Sequence, residues 1–225
     1  MGLIVYLDTI LVPLSLFLTV GYHTYLWHNF KNKPSNTTIG IDTLRRKTWF
    51  LDIKGGDDKK GMLAVQSLRN TLMGTTLTAT IAILIVLALA ALVNNAFNAA
   101  HLILNNAFFG SQSTKIFALK FGSAALFLSI SFFCGSLAMG FLIDANFLIN
   151  SCGEFSSLPE YTQTVFEKGF ILALISNRML CITFPLLLWM LGPIPVWLSS
   201  LALVWGLYQI DFAGKFTKCN KQSLS

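Results

Sequence analysis

Read for runs of apolar residues, the chain separates into five long hydrophobic stretches joined by polar segments of very unequal length. The stretches cover residues 3–22, 71–93, 116–143, 169–191 and 193–210. A helix crossing a hydrocarbon core of about 30 Å needs about 20 mainly apolar residues, so each is long enough to span. The third has length to spare, which predicts tilt or projection from the bilayer. None alternates apolar and polar positions as barrel strands do. The pattern predicts an all-α fold, an integral membrane helical bundle of five transmembrane helices in a single transmembrane domain over residues 1–225. Gly192 and Pro193 form the turn between the last two spans, and Pro195 suits the first turn of the new helix, where its missing N–H is harmless. The first stretch lacks a basic lead and a small-residue cleavage site, so it reads as a retained span.

The longest polar segment is residues 24–70. Lys33-Pro34-Ser35-Asn36 reads as one turn and Lys54-Gly55-Gly56-Asp57-Asp58 as another. From Lys59 the pattern is helical, with Met62, Val65, Gln66 and Arg69 leading straight into the second span. Trp27, Trp49 and Phe50 are placed to anchor at the headgroup level. Between the second and third spans, residues 94–114 mix asparagines with Phe97, His101, Phe108 and Phe109, a composition suited to an interfacial helix.

Composition narrows the class. The 225 residues are 54% hydrophobic and 12% charged, about half the charge of an average soluble domain, which excludes disorder and an ordinary soluble enzyme. Charge position then orients the chain. With five spans, thirteen of the sixteen basic residues fall on one side, and only Lys115 lies on the other. Cytoplasmic loops carry the Lys/Arg excess, so the N-terminus is expected outside and the C-terminus in the cytoplasm (N-out/C-in). In that orientation the Asn36-Thr37-Thr38 sequon faces the cytoplasm and is expected to go unused. Cys134, Cys152, Cys181 and Cys219 lie in spans or on the cytoplasmic side, so a disulfide framework is not expected. Segment 24–70 has a net charge of +5, which the positive-inside rule explains by itself and which would also attract anionic lipid at the basic loop 31–60.

Several groups of residues carry a family likeness. Tyr6-Leu7-Asp8 with Val12-Pro13, Gly21-Tyr22-His23, Arg46 and Trp49 are among them. So are Ala64 to Met73, Asn177-Arg178, Pro185 to Trp189, Gly192-Pro193 and Tyr208 to Phe212. Over nearly its whole length the chain resembles the plant "domain of unknown function 599" membrane family. That resemblance implies a multi-span membrane fold and no established activity.

Ionisable residues in spans are costly and mark candidate sites. Asp8 and Lys120 lie at similar depth below the outer surface, which makes them one candidate pair. Arg178 sits inside the fourth span, within reach of Asp144 or Asp211 at the inner face. Such pairs serve either as internal ties or as part of a conduction path. Thr71, Thr75 and Thr78, preceded by Gln66 and Arg69, follow helical spacing and suit a carboxylate-free route for an anion or polar solute. Threonines also bond back to their own helix or across helices. On the third span, Ala118, Gly122, Ala125, Ser129, Ser136 and Gly140 form a small-residue stripe suited to close helix packing.

No phosphate loop, dinucleotide fingerprint, metalloprotease helix, nucleophile elbow or CxxC is present. No catalytic residue, cofactor or metal site is therefore expected, and topology rather than nucleic acid accounts for the basic charge. The leading expectation is a channel- or transporter-like homo-oligomer working in the lipid bilayer. The alternative is a scaffold or accessory membrane subunit without transport activity.

Overall fold

The computed structural model describes residues 2–53, 58–98, 114–150 and 159–212. These form six α-helices: α1 (Gly2–Asn32), α2 (Thr38–Ile53), α3 (Asp58–Asn98), α4 (Thr114–Asn150), α5 (Pro159–Leu188) and α6 (Pro193–Asp211). A short 3-10 turn, Pro34–Asn36, links α1 to α2, and there is no strand among the described residues. Five helices hold a segment long and apolar enough to cross a membrane: Asp8–Asn32, Met62–Asn95, Ala118–Ile149, Glu160–Leu188 and Pro193–Asp211. Each expected span falls on its own helix, an arrangement compatible with a multi-pass membrane protein. Residues 54–57 of the second expected turn lie outside the described residues, as do 99–113 of the 94–114 segment with His101, and Cys152 and Cys219.

Helix α4 runs seven residues past its expected end at 143, α5 begins ten residues before its expected start at 169, and the polar segment 24–70 differs most. Helix α1 runs on past Tyr22 into polar sequence until Pro34, because nothing before that proline breaks it. A residue before proline is pushed out of the α region, and Lys33 accordingly has φ −140° and ψ 67°. Helix α2 occupies a stretch of the polar segment where no helix was expected. Its start is a side-chain cap: the Gly40 N–H donates to Thr37 Oγ1 at 3.1 Å, and the Ile41 N–H to the Thr37 carbonyl at 2.9 Å. A threonine cap of this kind contributes about 1 kcal/mol. At the other end of the chain, Gly192 has φ +138°, a conformation open to glycine, and it joins α5 to α6 with Pro193 in the first turn.

The helices fall into two compact units. Among the described residues, the first comprises 2–48, 114–117 and 184–212, and in it α1 packs on α6. From Asp8 onward the buried residues of α1 are Asp8, Val12, Ser15, Thr19, Tyr22 and Leu26, at alternating spacings of four and three. That is the seam of one helix laid along another. Most of it is polar, which makes sense in a lipid setting, where apolar side chains gain nothing by turning inward. Tyr22, Leu26 and Phe212 form its core, with Ile39, Val204, Leu207 and Tyr208 packed around them.

Among the described residues, the second unit comprises 49–53, 58–98, 118–150 and 159–183, and its core joins Leu68 of α3, Leu142 and Ala145 of α4, and Val165 and Phe166 of α5. The buried seam of α4 is Lys120, Ala124, Leu128, Ser131, Gly135, Ala138, Leu142 and Ala145. The small-residue stripe expected to pack lies beside this seam: Ala118, Gly122 and Gly140 are exposed, and Ala125, Ser129 and Ser136 are half-buried. Gly122 and Gly140 have open space where a side chain would stand.

Candidate functional site: buried polar groups within the helices

In the first unit, two carboxylates are tied by neutral donors from distant parts of the chain. Asp211, the last residue of α6, is 1% exposed, and Tyr22 Oη donates to its Oδ2 at 2.5 Å. The surroundings lock both partners in place. Tyr208 and Tyr25 stack at a tilt on Phe212, with ring centroids 4.9 Å and 5.7 Å away. Thr38 Oγ1 donates to the Ile210 carbonyl at 2.7 Å, which satisfies one of the acceptors left over at a helix C-terminus. The His23 ring meets Tyr22 edge-on at 5.3 Å, and its Nδ1 lies 2.8 Å from the Thr19 carbonyl. A carbonyl can only accept, so Nδ1 carries the proton.

Asp8 is the second carboxylate. It is 5% exposed, and the buried Trp189 donates its indole N–H to Asp8 Oδ1 at 3.2 Å. Trp189 sits in the turn that closes α5, where Met190 and Leu191 tighten to i−3 bonding. Pro13 lies one turn further on, and Ser15 Oγ donates to the Val12 carbonyl beside it at 2.8 Å.

The second unit uses another device. Ser131 Oγ donates to the Ser176 carbonyl, and Ser176 Oγ donates to the Ser131 carbonyl, both at 2.7 Å. This reciprocal pair needs α4 and α5 almost in backbone contact. Gly135 permits it: a Cβ there would stand 2.9 Å from Ser176 Oγ and 3.1 Å from Ala79 Cβ of α3. Lys120 on α4 is 4% exposed. Arg178 on α5 is half-buried, with Nη1 shielded from solvent, and Asp144 on α4 is exposed.

The stripe expected on α3 is divided between faces. The packed face carries Ala64, Leu68, Thr75, Ala79, Ala82 and Leu89, so of the stripe only Thr75 lies on it. Thr71 and Thr78 flank that face, and Gln66 and Arg69 are exposed. Thr71, Thr75 and Thr78 each donate to the carbonyl four residues back, at 3.1, 2.8 and 3.1 Å. Thr76 adds a contact to Met139 Sδ of α4 at 3.1 Å.

Tyr22, Trp189, Ser131, Ser176 and Thr38 were not singled out from the sequence for these roles. A signal for Tyr22 was present: Asp8, Ser15, Thr19 and Tyr22 recur at helical spacings through apolar sequence, the mark of a polar seam. Nothing in the order of residues marks Trp189 as the partner of Asp8, since 181 positions separate them. Among the described residues, no group of three histidine, cysteine or carboxylate side chains is arranged to hold a metal ion.

Residues 10–216 match the family described as "Protein of unknown function, DUF599". Comparison with curated proteins and with solved structures found no match.

Proposed function

The chain belongs to the DUF599 family of proteins of unknown function, and on that premise we propose a multi-pass membrane protein that moves an anion or small polar solute. One observation carries the reading: Asp8, Lys120 and Asp211 are all buried in helices apolar and long enough to span a bilayer. A charged residue inside a span is costly unless it is paired or hydrated, and apolar packing would join the helices without that cost. Charges retained inside spans are found along solute and ion pathways as well as in structural ties, and the first of these supports the reading. Arg178 supplies a guanidinium within α5 suited to an anion, and Thr75 offers a hydroxyl on the packed face of α3. The basic bias of the sequence supports N-terminus out and C-terminus in. The exposed Ala118, Gly122 and Gly140 support assembly with further copies of the chain. The reading gives no residue a catalytic, cofactor or metal role.

Liposomes holding the purified chain test it. Chloride, nitrate, phosphate or glycerol is expected to move under a gradient. Arg178→Gln is expected to cut the flux about tenfold or more, the worth of a lost charged hydrogen bond, with a smaller change in unfolding. The second reading is a scaffold or accessory subunit. It is favoured by the direct helix-to-helix ties, Tyr22 to Asp211 and Ser131 to Ser176. Absence of flux for all four solutes in the wild type would decide for it.

A further inference from the structure

The end of α1 and the start of α2 meet at one anchored point. Leu26 of α1 and Ile39 of α2 both belong to the cluster around Phe212, and Thr38 is bonded to the Ile210 carbonyl at the end of α6. Because α6 is a helix just long enough to span, this cluster marks the level where a span ends. Lys31 and Lys33 follow Leu26 by one to two helical turns' worth of chain, about 8–11 Å. Arg45 and Lys47 follow Ile39 by about two turns, about 9–12 Å. All four are exposed.

Apolar groups are interleaved with them. Trp27 is 59% exposed and lies one turn before Lys31 on the same face of α1, and Leu44, also exposed, lies one turn before Lys47 on α2. Aromatic and aliphatic bodies beside flexible cations are the chemistry of the headgroup boundary, where the apolar part enters the acyl region and the cation meets phosphate. Asp42 is the only acidic residue between Lys31 and Thr48. It lies on α2 with Arg46, whose guanidinium is pushed below its ordinary pKa by burial, while Asp42 acts in the opposite direction. Asp42 thus acts on a half-buried cation that is not one of the exposed four.

We infer that Lys31, Lys33, Arg45 and Lys47, with Trp27 and Leu44, form a surface that binds the headgroups of anionic phospholipids in the bilayer around the protein. An acidic protein would match the charge, but it would leave Trp27 and Leu44 without the acyl boundary that their position at a span end provides. The inference rests on the membrane reading, not on transport.

The test uses the full chain in vesicles of phosphatidylcholine and phosphatidylglycerol, after resistance to alkaline carbonate extraction has confirmed insertion. Energy transfer from the chain's tryptophans to pyrene-labelled phosphatidylglycerol is compared with transfer to pyrene-labelled phosphatidylcholine. The wild type is expected to favour phosphatidylglycerol several-fold at about 50 mM salt, and less at about 1 M, where screening shortens to about 3 Å. Lys47→Gln or Arg45→Gln is expected to lower the preference about one-and-a-half- to twofold, and the fourfold glutamine variant to bring it to unity. Lys168→Gln, an exposed cation of α5 in the other unit, is expected to leave it unchanged. Equal transfer to both lipids in the wild type would overturn the proposal. So would a preference that Lys168→Gln lowers as much as Lys47→Gln does. Extraction by carbonate would instead overturn the membrane reading beneath it.

Discussion

The two units hold their helices together by opposite means. In the first, bulky side chains reach across: a phenol to Asp211, an indole to Asp8, a threonine hydroxyl to the end of α6. In the second, side chains shrink until backbones nearly touch, and two serines exchange hydrogen bonds over a glycine. In lipid, where apolar burial gives helices little reason to associate, both routes remain open: directed polar bonds, or dispersion contacts through close approach. The difference predicts different sensitivities. The first unit should respond to loss of a polar atom, the second to gain of volume.

The largest expected effect is therefore Gly135→Leu, which forces a side chain into Ser176 and Ala79 and should cost about 3 kcal/mol, measured by denaturant titration in mixed micelles. Gly206→Leu, with nothing within 4 Å of the added Cβ, should cost about 0.5 kcal/mol or less. Equal costs would break the comparison. Next in size is the pair in the first unit. Tyr22→Phe and Asp211→Ala should each cost about 1–2 kcal/mol, and a double-mutant cycle should return a coupling above about 0.5 kcal/mol. A coupling near zero would mean that the apolar contacts of Tyr22 hold that seam and the phenol does not. The smallest effects separate ties from local bonds. Ser131→Ala should cost about 0.6 kcal/mol, the average for such a bond in a membrane protein. Thr71→Val and Thr78→Val should sit near zero, because those hydroxyls bond their own helix. Threonine variants as costly as the serine would show that the α3 face carries an interaction beyond those back-bonds.

The spans were legible in the residue order because length and apolarity are local properties, and each expected stretch has its own helix, the fourth overrunning α5 by the three turn residues 189–191. Helix α2 was not, because its start depends on a single hydroxyl: Thr37 stood out only as part of a sequon, yet it caps the helix. The packed face of α4 was displaced for a related reason. Small residues occur all round that helix, so Gly122 and Gly140 satisfy the same spacing rule as Gly135. What distinguishes Gly135 is Ser176 on another helix, a neighbour that periodicity does not encode. Asp8 and Asp211 were legible as residues that need partners, and Tyr22 as a member of a polar seam, but neither the tyrosine nor the tryptophan was legible as the partner of a given carboxylate. Charge alone points a buried carboxylate towards a cation. An indole and a phenol donate to these two, and no charge count selects such donors.

Composition and hydropathy alone thus determined the class, the number of spans and the residues too polar for their surroundings, since each follows from transfer between water and hydrocarbon, one segment at a time. Tertiary structure decided which polar residue answers which. Tyr22 meets Asp211 across 189 positions and Ser131 meets Ser176 across 45, and only the packing of whole helices brings such atoms to within about 3 Å.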